Sequence, residues 1–201
     1  MKQVLIFCIF ILVGVLILGV LPTHGEADIY DSVVRLHVLA NSDSAEDQAL
    51  KLQVRDAVLE VSAEILDGCD TRADAIAALS GKLEQIRRAA LEVIADQGYS
   101  YDVSVKLCEE QYPTKNYESV CFPSGEYMSL QVCIGEAAGQ NWWCVLFPKL
   151  CLSASTKATS EQAFIQAGLT PEQYKIITES QGATYKLRFK LLEILEQTFG
   201  K

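Results

Sequence analysis

Apolar and polar positions alternate from Ser32 to Ala40, with Val34, Leu36 and Val38 on one face and Arg35 and His37 on the other. That period of two predicts a half-buried strand. Asn41-Ser42-Asp43-Ser44-Ala45-Glu46-Asp47 interrupts it. Ser44 followed by Asp47 is a helix-start signature, with acidic residues where the helix dipole favours them. Leu50, Val54, Ala57, Val58, Val61 and Ile65 then recur at helical spacing up to Gly68. A second helix is predicted from Thr71 to Gly98, carried by Ile76, Leu79, Leu83, Ile86, Ala90 and Ile94. From Tyr99 the period returns to two, with Tyr101, Val103, Val105 and Leu107 on one face. A further strand is expected over about Asn116 to Phe122. Pro123-Ser124-Gly125 then turns into a strand from Glu126 to Ile134, with Met128, Leu130 and Val132 on one face. The order β-α-α-β-β-β predicts the α+β class: a two-layer sandwich of a small, mostly antiparallel sheet with a helix pair.

Outside that block the pattern changes twice. Residues 1–25 hold an uncharged apolar run from Val4 to Leu21 that ends near Pro22 and Gly25. The run is long enough for a secretory signal and reaches the lower limit for a membrane span, so a cleaved signal peptide and an N-terminal membrane anchor both stay open. Either sends the remainder out of the cytoplasm. Ser153 to Ser160 has no apolar period and reads as a linker. Residues 161–201 are expected to be a helical tail, with Thr170-Pro171-Glu172-Gln173 as a helix start and an apolar face of Leu187, Leu191, Ile194, Leu195 and Phe199.

Asn141-Trp142-Trp143-Cys144-Val145-Leu146-Phe147-Pro148 breaks both periods. Both tryptophans of the chain stand side by side here. Adjacent aromatics on a strand point to opposite faces, so they cannot share one core. One must be covered by a loop, the tail or a partner, and tryptophan is over-represented among residues that carry interface energy.

Composition narrows the partners. The net charge is −9, and residues 1–25 contain none of the Asp or Glu, so the exported part is more acidic still. Phosphate binding needs a basic surface, which excludes nucleic acid as a partner. Of seven cysteines, Cys69, Cys108, Cys121, Cys133, Cys144 and Cys151 lie beyond the apolar run. Local geometry favours one pairing among them: Cys144 and Cys151 bracket Pro148, which can turn the chain and bring them together. The remaining cysteines read equally well as buried thiols.

Catalytic readings find little support. No Cys-x-x-Cys and no His-Glu-x-x-His occurs, so neither a metal site nor a cofactor is expected. Gly135-Glu136-Ala137-Ala138-Gly139 lacks the Lys-Ser/Thr of a phosphate loop and reads as a turn. Asn41-Ser42-Asp43 lacks the central glycine and closing glutamate of a calcium loop and reads as a cap. The competing enzymatic reading is an exported cysteine- or carboxylate-dependent hydrolase of the cell envelope, with His37 and Cys144 as a dyad. An envelope-tethered structural protein is a third reading.

Several segments together resemble stage II sporulation protein R of endospore-forming bacteria. They are Val34-Arg35-Leu36-His37-Val38-Leu39-Ala40-Asn41-Ser42-Asp43-Ser44, Val54-Arg55-Asp56-Ala57-Val58, Tyr112-Pro113-Thr114-Lys115, Phe122-Pro123-Ser124-Gly125-Glu126-Tyr127, and Gly139-Gln140-Asn141-Trp142-Trp143-Cys144 continuing to Phe147-Pro148 and Leu150-Cys151. The resemblance spans about residues 30–152. Lys149 stands where the family usually has a second proline, and the family's tail varies widely. The resemblance implies no enzyme but an intercellular signal exported from the forespore into the space between forespore and mother cell. There such proteins trigger a membrane-embedded aspartic protease that removes the pro-sequence of the early mother-cell sigma factor. On this reading Asn141, Trp142, Trp143, Phe147 and Pro148 are expected to contact the protease's extracytoplasmic portion, with Arg35 and Lys115 as weaker candidates.

Overall fold

A computed structural model describes residues 29–117 and 120–148, with scattered positions near the two ends (3, 6, 7, 9–14, 170, 171, 177 and 178). Strand β1 (Val34–Leu39) is followed by three helices, α1 (Ala45–Ile65), α2 (Arg72–Ser80) and α3 (Leu83–Asp96). Then come β2 (Val103–Tyr112), the short strands β3 (Lys115–Tyr117) and β4 (Val120–Phe122), β5 (Gly125–Ile134) and β6 (Asn141–Phe147). The main sheet has the order β2-β5-β1-β6, while β3 and β4 pair separately. β1 runs parallel to β5 and antiparallel to β6, and β2 runs antiparallel to β5. The α+β expectation therefore holds: two of the three pairings in the main sheet are antiparallel, and helices cover one face.

The helices form for local reasons. Ser44 caps α1 by accepting from the Asp47 amide at 3.1 Å, as the sequence predicts. Thr71 and Asp74 form a reciprocal capping box at the start of α2. The single second helix expected over Thr71 to Gly98 is two. Gly81 closes α2 and Lys82 opens α3, because glycine offers a helix interior little and a turn much. Leu50, Val54 and Val58 of α1, Leu79 of α2, and Ile86, Ala90 and Ile94 of α3 pack against Leu36, Val38, Leu130 and Val132 of the sheet.

Three strand expectations are corrected. The strand read from Tyr99 begins at Val103 instead. Tyr99 and Tyr101 lie before it, their rings stacked 5.3 Å apart. Asn116 to Phe122 is not one strand, since β3 pairs with β4 across Tyr117↔Val120. Asn141 to Phe147 forms an edge strand that the expected element order omitted.

Candidate functional site

Alternation places Arg35 and His37 of β1, Glu110 and Tyr112 of β2, Tyr127, Ser129 and Gln131 of β5, and Asn141, Trp143 and Val145 of β6 on the face opposite the helices. The two tryptophans part as strand geometry requires. Trp142 pairs with Val38 and packs on the helix-side core, with the Arg55 guanidinium 4.9 Å from its ring centroid. Trp143 pairs with His37 and belongs to the opposite face. Its ring lies 5.5 Å from the imidazole of His37 and 3.9 Å from the Lys115 ammonium.

His37 is 7% exposed and has both ring nitrogens engaged. Nδ1 lies 3.0 Å from Glu110 Oε1 and Nε2 lies 2.7 Å from Asn141 Oδ1. Gln131 Nε2 donates to the same Glu110 oxygen. Burial works to raise the Glu110 carboxyl, but hydrogen bonds from His37, Ser129 and Gln131 outweigh it and leave the group below the usual carboxylate range. The imidazole thus ties the central strand to both edge strands, β2 through Glu110 and β6 through Asn141. The sequence offered His37 only as a position on the first strand's polar face and as half of a candidate dyad. No local signal joins it to Glu110, 73 positions away.

Arg35, expected as a weaker partner-contact candidate, is 0% exposed and sits at a packing centre. Its guanidinium carbon lies 4.3 Å from the Tyr112 ring centroid, 4.9 Å from that of Tyr127 and 5.2 Å from that of Phe122. Its Nε donates to the Cys144 carbonyl at 3.2 Å. A planar, weakly hydrated cation suits such an aromatic setting. Phe147 is 4% exposed within the helix-side core. Pro148, joined to it by a cis peptide bond, is also buried. Neither presents side-chain surface, whereas Asn141 is exposed and Trp142, Trp143 and Lys115 are half-buried.

The Asn41 to Asp47 segment and the Gly135 to Gly139 turn are one structure. Asp47 Oδ2 accepts from Asn41 Nδ2 at 2.8 Å and from the Ser42 hydroxyl at 2.5 Å. These bonds hold its carboxyl below the usual range. Asn41 Oδ1 accepts the Glu136 amide at 3.0 Å, and the Gly139 amide donates to the Ala40 carbonyl at 3.0 Å. Lys51 Nζ donates to the Gln140 carbonyl at 3.0 Å. These residues set where β6 begins, so the calcium-like and phosphate-loop-like spellings are structural.

The hydrolase dyad does not form. Cys144 pairs with Leu36, which puts it on the helix side, opposite His37. It is also disulfide-bonded; Cys151, its expected partner, lies outside the described residues. Cys69, Cys108, Cys121 and Cys133 are free, and burial pushes the thiols of Cys108, Cys121 and Cys133 up, away from the reactive thiolate. No cluster of three or more metal-ligating side chains occurs among the described residues.

Fold and site together define an α+β module with a helix-packed core on one side of its sheet and a cation-centred aromatic face on the other. A profile described as stage II sporulation protein R matches residues 30–157. Stage II sporulation protein R of Bacillus subtilis (strain 168) is 36% identical over 160 residues, covering 75% of this chain and 71% of that one. The chain belongs to the stage II sporulation protein R family, and its role is in sporulation. No solved structure matches it.

Proposed function

We propose that this protein is an exported intercellular signal that binds the extracytoplasmic portion of a membrane-embedded aspartic protease and shifts it to its active state. Processing of the pro-form of the mother-cell sigma factor follows. It acts without a cofactor and without catalytic chemistry of its own. The observation that carries this reading is the site at the start of β6. There Asn141 and Trp143 are held by His37 and Lys115 (3.9 Å from the Trp143 ring), and part of the indole stays accessible. A large, rigid, amphipathic side chain fixed by its neighbours is the usual anchor of an interface. Activation requires tighter binding to the active protease than to the inactive one.

Export is the work of residues 1–25, as signal peptide or anchor, and places the protein between forespore and mother cell. The exposed Phe7, Phe10 and Leu12 of that segment support this, since such side chains need an apolar environment. A Cys144–Cys151 bond holds the end of β6 in shape.

Co-expression with the protease and its pro-sigma substrate in a non-sporulating host tests the proposal by scoring pro-sequence cleavage. Trp143→Ala and Lys115→Ala are expected to reduce cleavage at least about tenfold while far-UV circular dichroism and the cooperative melt stay as in the parent. A folded, exported Trp143→Ala protein that activates normally would sink the assignment of this face.

A further inference from the structure

His37 meets an oxygen at each ring nitrogen, which fixes where its protons must be. Nδ1 faces Glu110 Oε1 at 3.0 Å and Nε2 faces Asn141 Oδ1 at 2.7 Å. Glu110 Oε1 also accepts from Gln131 Nε2. The Gln131 amide is itself oriented, because its Oε1 accepts from the Cys133 thiol at 3.5 Å. Glu110 Oε1 is therefore a bare acceptor, in keeping with a carboxyl that burial raises but hydrogen bonds hold below the usual range. Nδ1 needs a proton to bond to it. The Asn141 oxygen has no hydrogen to give either, so Nε2 needs one as well. Both demands are met together by the imidazolium, which donates from both nitrogens.

We infer that His37 is a positioning residue: its charged ring decides which end of the Asn141 amide a partner meets, and makes Asn141 a hydrogen-bond donor at the recognition surface. With Oδ1 turned to the ring, Nδ2 of this exposed side chain is left to face outward. It takes no partner among the described residues. When the ring gives up one proton, the carboxylate, as the stronger acceptor, keeps the one on Nδ1. Nε2 then points a lone pair at an oxygen 2.7 Å away. The amide relieves that repulsion by turning over, which an exposed side chain can do, and Oδ1 comes outward. The group that Asn141 fits in its first orientation is a carbonyl or carboxylate oxygen of the partner. Among the described residues Glu110 is the one carboxylate facing the ring. Arg35 of β1, Lys106 of β2 and Lys115 of β3, across the Trp143 ring, oppose its charge. The Tyr127 hydroxyl donates to the Pro123 carbonyl and that of Tyr112 pairs with Ser129. Burial keeps the Cys108 and Cys133 thiols neutral. The ion pair with Glu110 is thus what holds the second proton. The inference rests on this face being the partner contact, but its first test uses no partner.

In the full chain, His24→Gln leaves His37 as the only histidine. With nitrogen-15 label, NMR follows its ring nitrogens and the Asn141 side-chain NH2 as pH is raised from about 5 to about 9, across the ordinary imidazole range. Both ring nitrogens are expected to be protonated at the acid end and Nδ1 alone at the alkaline end. The Asn141 resonances are expected to move with the same midpoint. Binding to the protease's extracytoplasmic portion is expected to weaken at least about tenfold across that midpoint. Asn141→Asp, which keeps the shape but has no N–H to offer, is expected to bind at the weak level throughout. Asn141 resonances that ignore the ring's titration overturn the inference. So does a last proton that sits on Nε2, or binding equally tight on both sides of the midpoint. A protease that binds at no pH counts against the protease reading alone, because the nitrogen spectra decide the amide's orientation without it.

Discussion

Arg35 would be a costly residue to bury without its surroundings. Three rings and a carbonyl oxygen replace water around it, and removing a charge from water is tolerable only with such partners. Arg35→Ala is expected to destabilise the domain by about 3–5 kcal/mol, through the cavity and the unfilled aromatic cage. Arg35→Met, which keeps volume and drops charge, is expected to lose less than Arg35→Ala. Urea unfolding of the two variants measures the difference. Arg35→Lys keeps the charge but not the plane that lies against the rings, so it is expected to behave more like the alanine than a conservative exchange would.

Asp47 gives the molecule an acid sensitivity with a definite sign. Hydrogen bonds from Ser42 and Asn41 lower its folded-state pKa, so its contribution is fully present above the unfolded-state value. The contribution is lost as pH falls through the folded one. Unfolding free energy is therefore expected to be flat in Asp47 near neutrality and to fall below about pH 4. Asp47→Asn is expected to flatten that acid limb and to cost about 1–3 kcal/mol at pH 7, since Ser42 and Asn41 lose a charged acceptor. Glu110, also lowered, acts in the same direction, so the double variant Asp47→Asn/Glu110→Gln is expected to flatten the limb further.

Among the elements, the turn before β6 is the most demanding. A Cβ at Gly139 would stand 2.1 Å from the Ser42 carbonyl oxygen, and one at Gly135 would meet Asn41 Oδ1 at 2.2 Å in a backbone with φ of +55°. Gly139→Ala is expected to lower the melting temperature by about 4–12 °C, equivalent to roughly 2–3 kcal/mol. Gly81→Ala, whose Cβ meets nothing nearer than 3.8 Å, is expected to be neutral or mildly stabilising, and differential scanning calorimetry separates the two.

The same elements mark how far the sequence could be read. β1, α1 and β5 were legible because each keeps one period and one buried face along its length. β6 was not, because its first half faces two different cores and its second half is buried throughout. Alternation vanishes when both sides are covered. A register irregularity beside Val34 and Arg35 compounds this, turning Leu146 and Phe147 to the same core. The break at Gly81 was visible as a glycine within a helical period, but the continuing period masked it. At the site, the tryptophans' opposed facing followed from strand geometry alone. The His37 bridge and the burial of Arg35 depend on pairings made across the sheet, which no local pattern encodes.

At the scale of the whole molecule, β1 is the first strand in the chain and the centre of the sheet. Its two neighbours, β5 and β6, are the last strands described. The helices come between and pack on a face that those late strands complete. A chain emerging from a ribosome, or threading a narrow channel from its N-terminus, therefore holds its central strand without neighbours until about residue 147 is free. Contacts of such long sequence separation form slowly, since loop closure precedes any gain from pairing. Early in synthesis only α1 to α3 have neighbours to pack on, and a loose helical hairpin is easily pulled straight. The placement of β1 thus works as a timer: the fold closes only once nearly the whole domain has emerged.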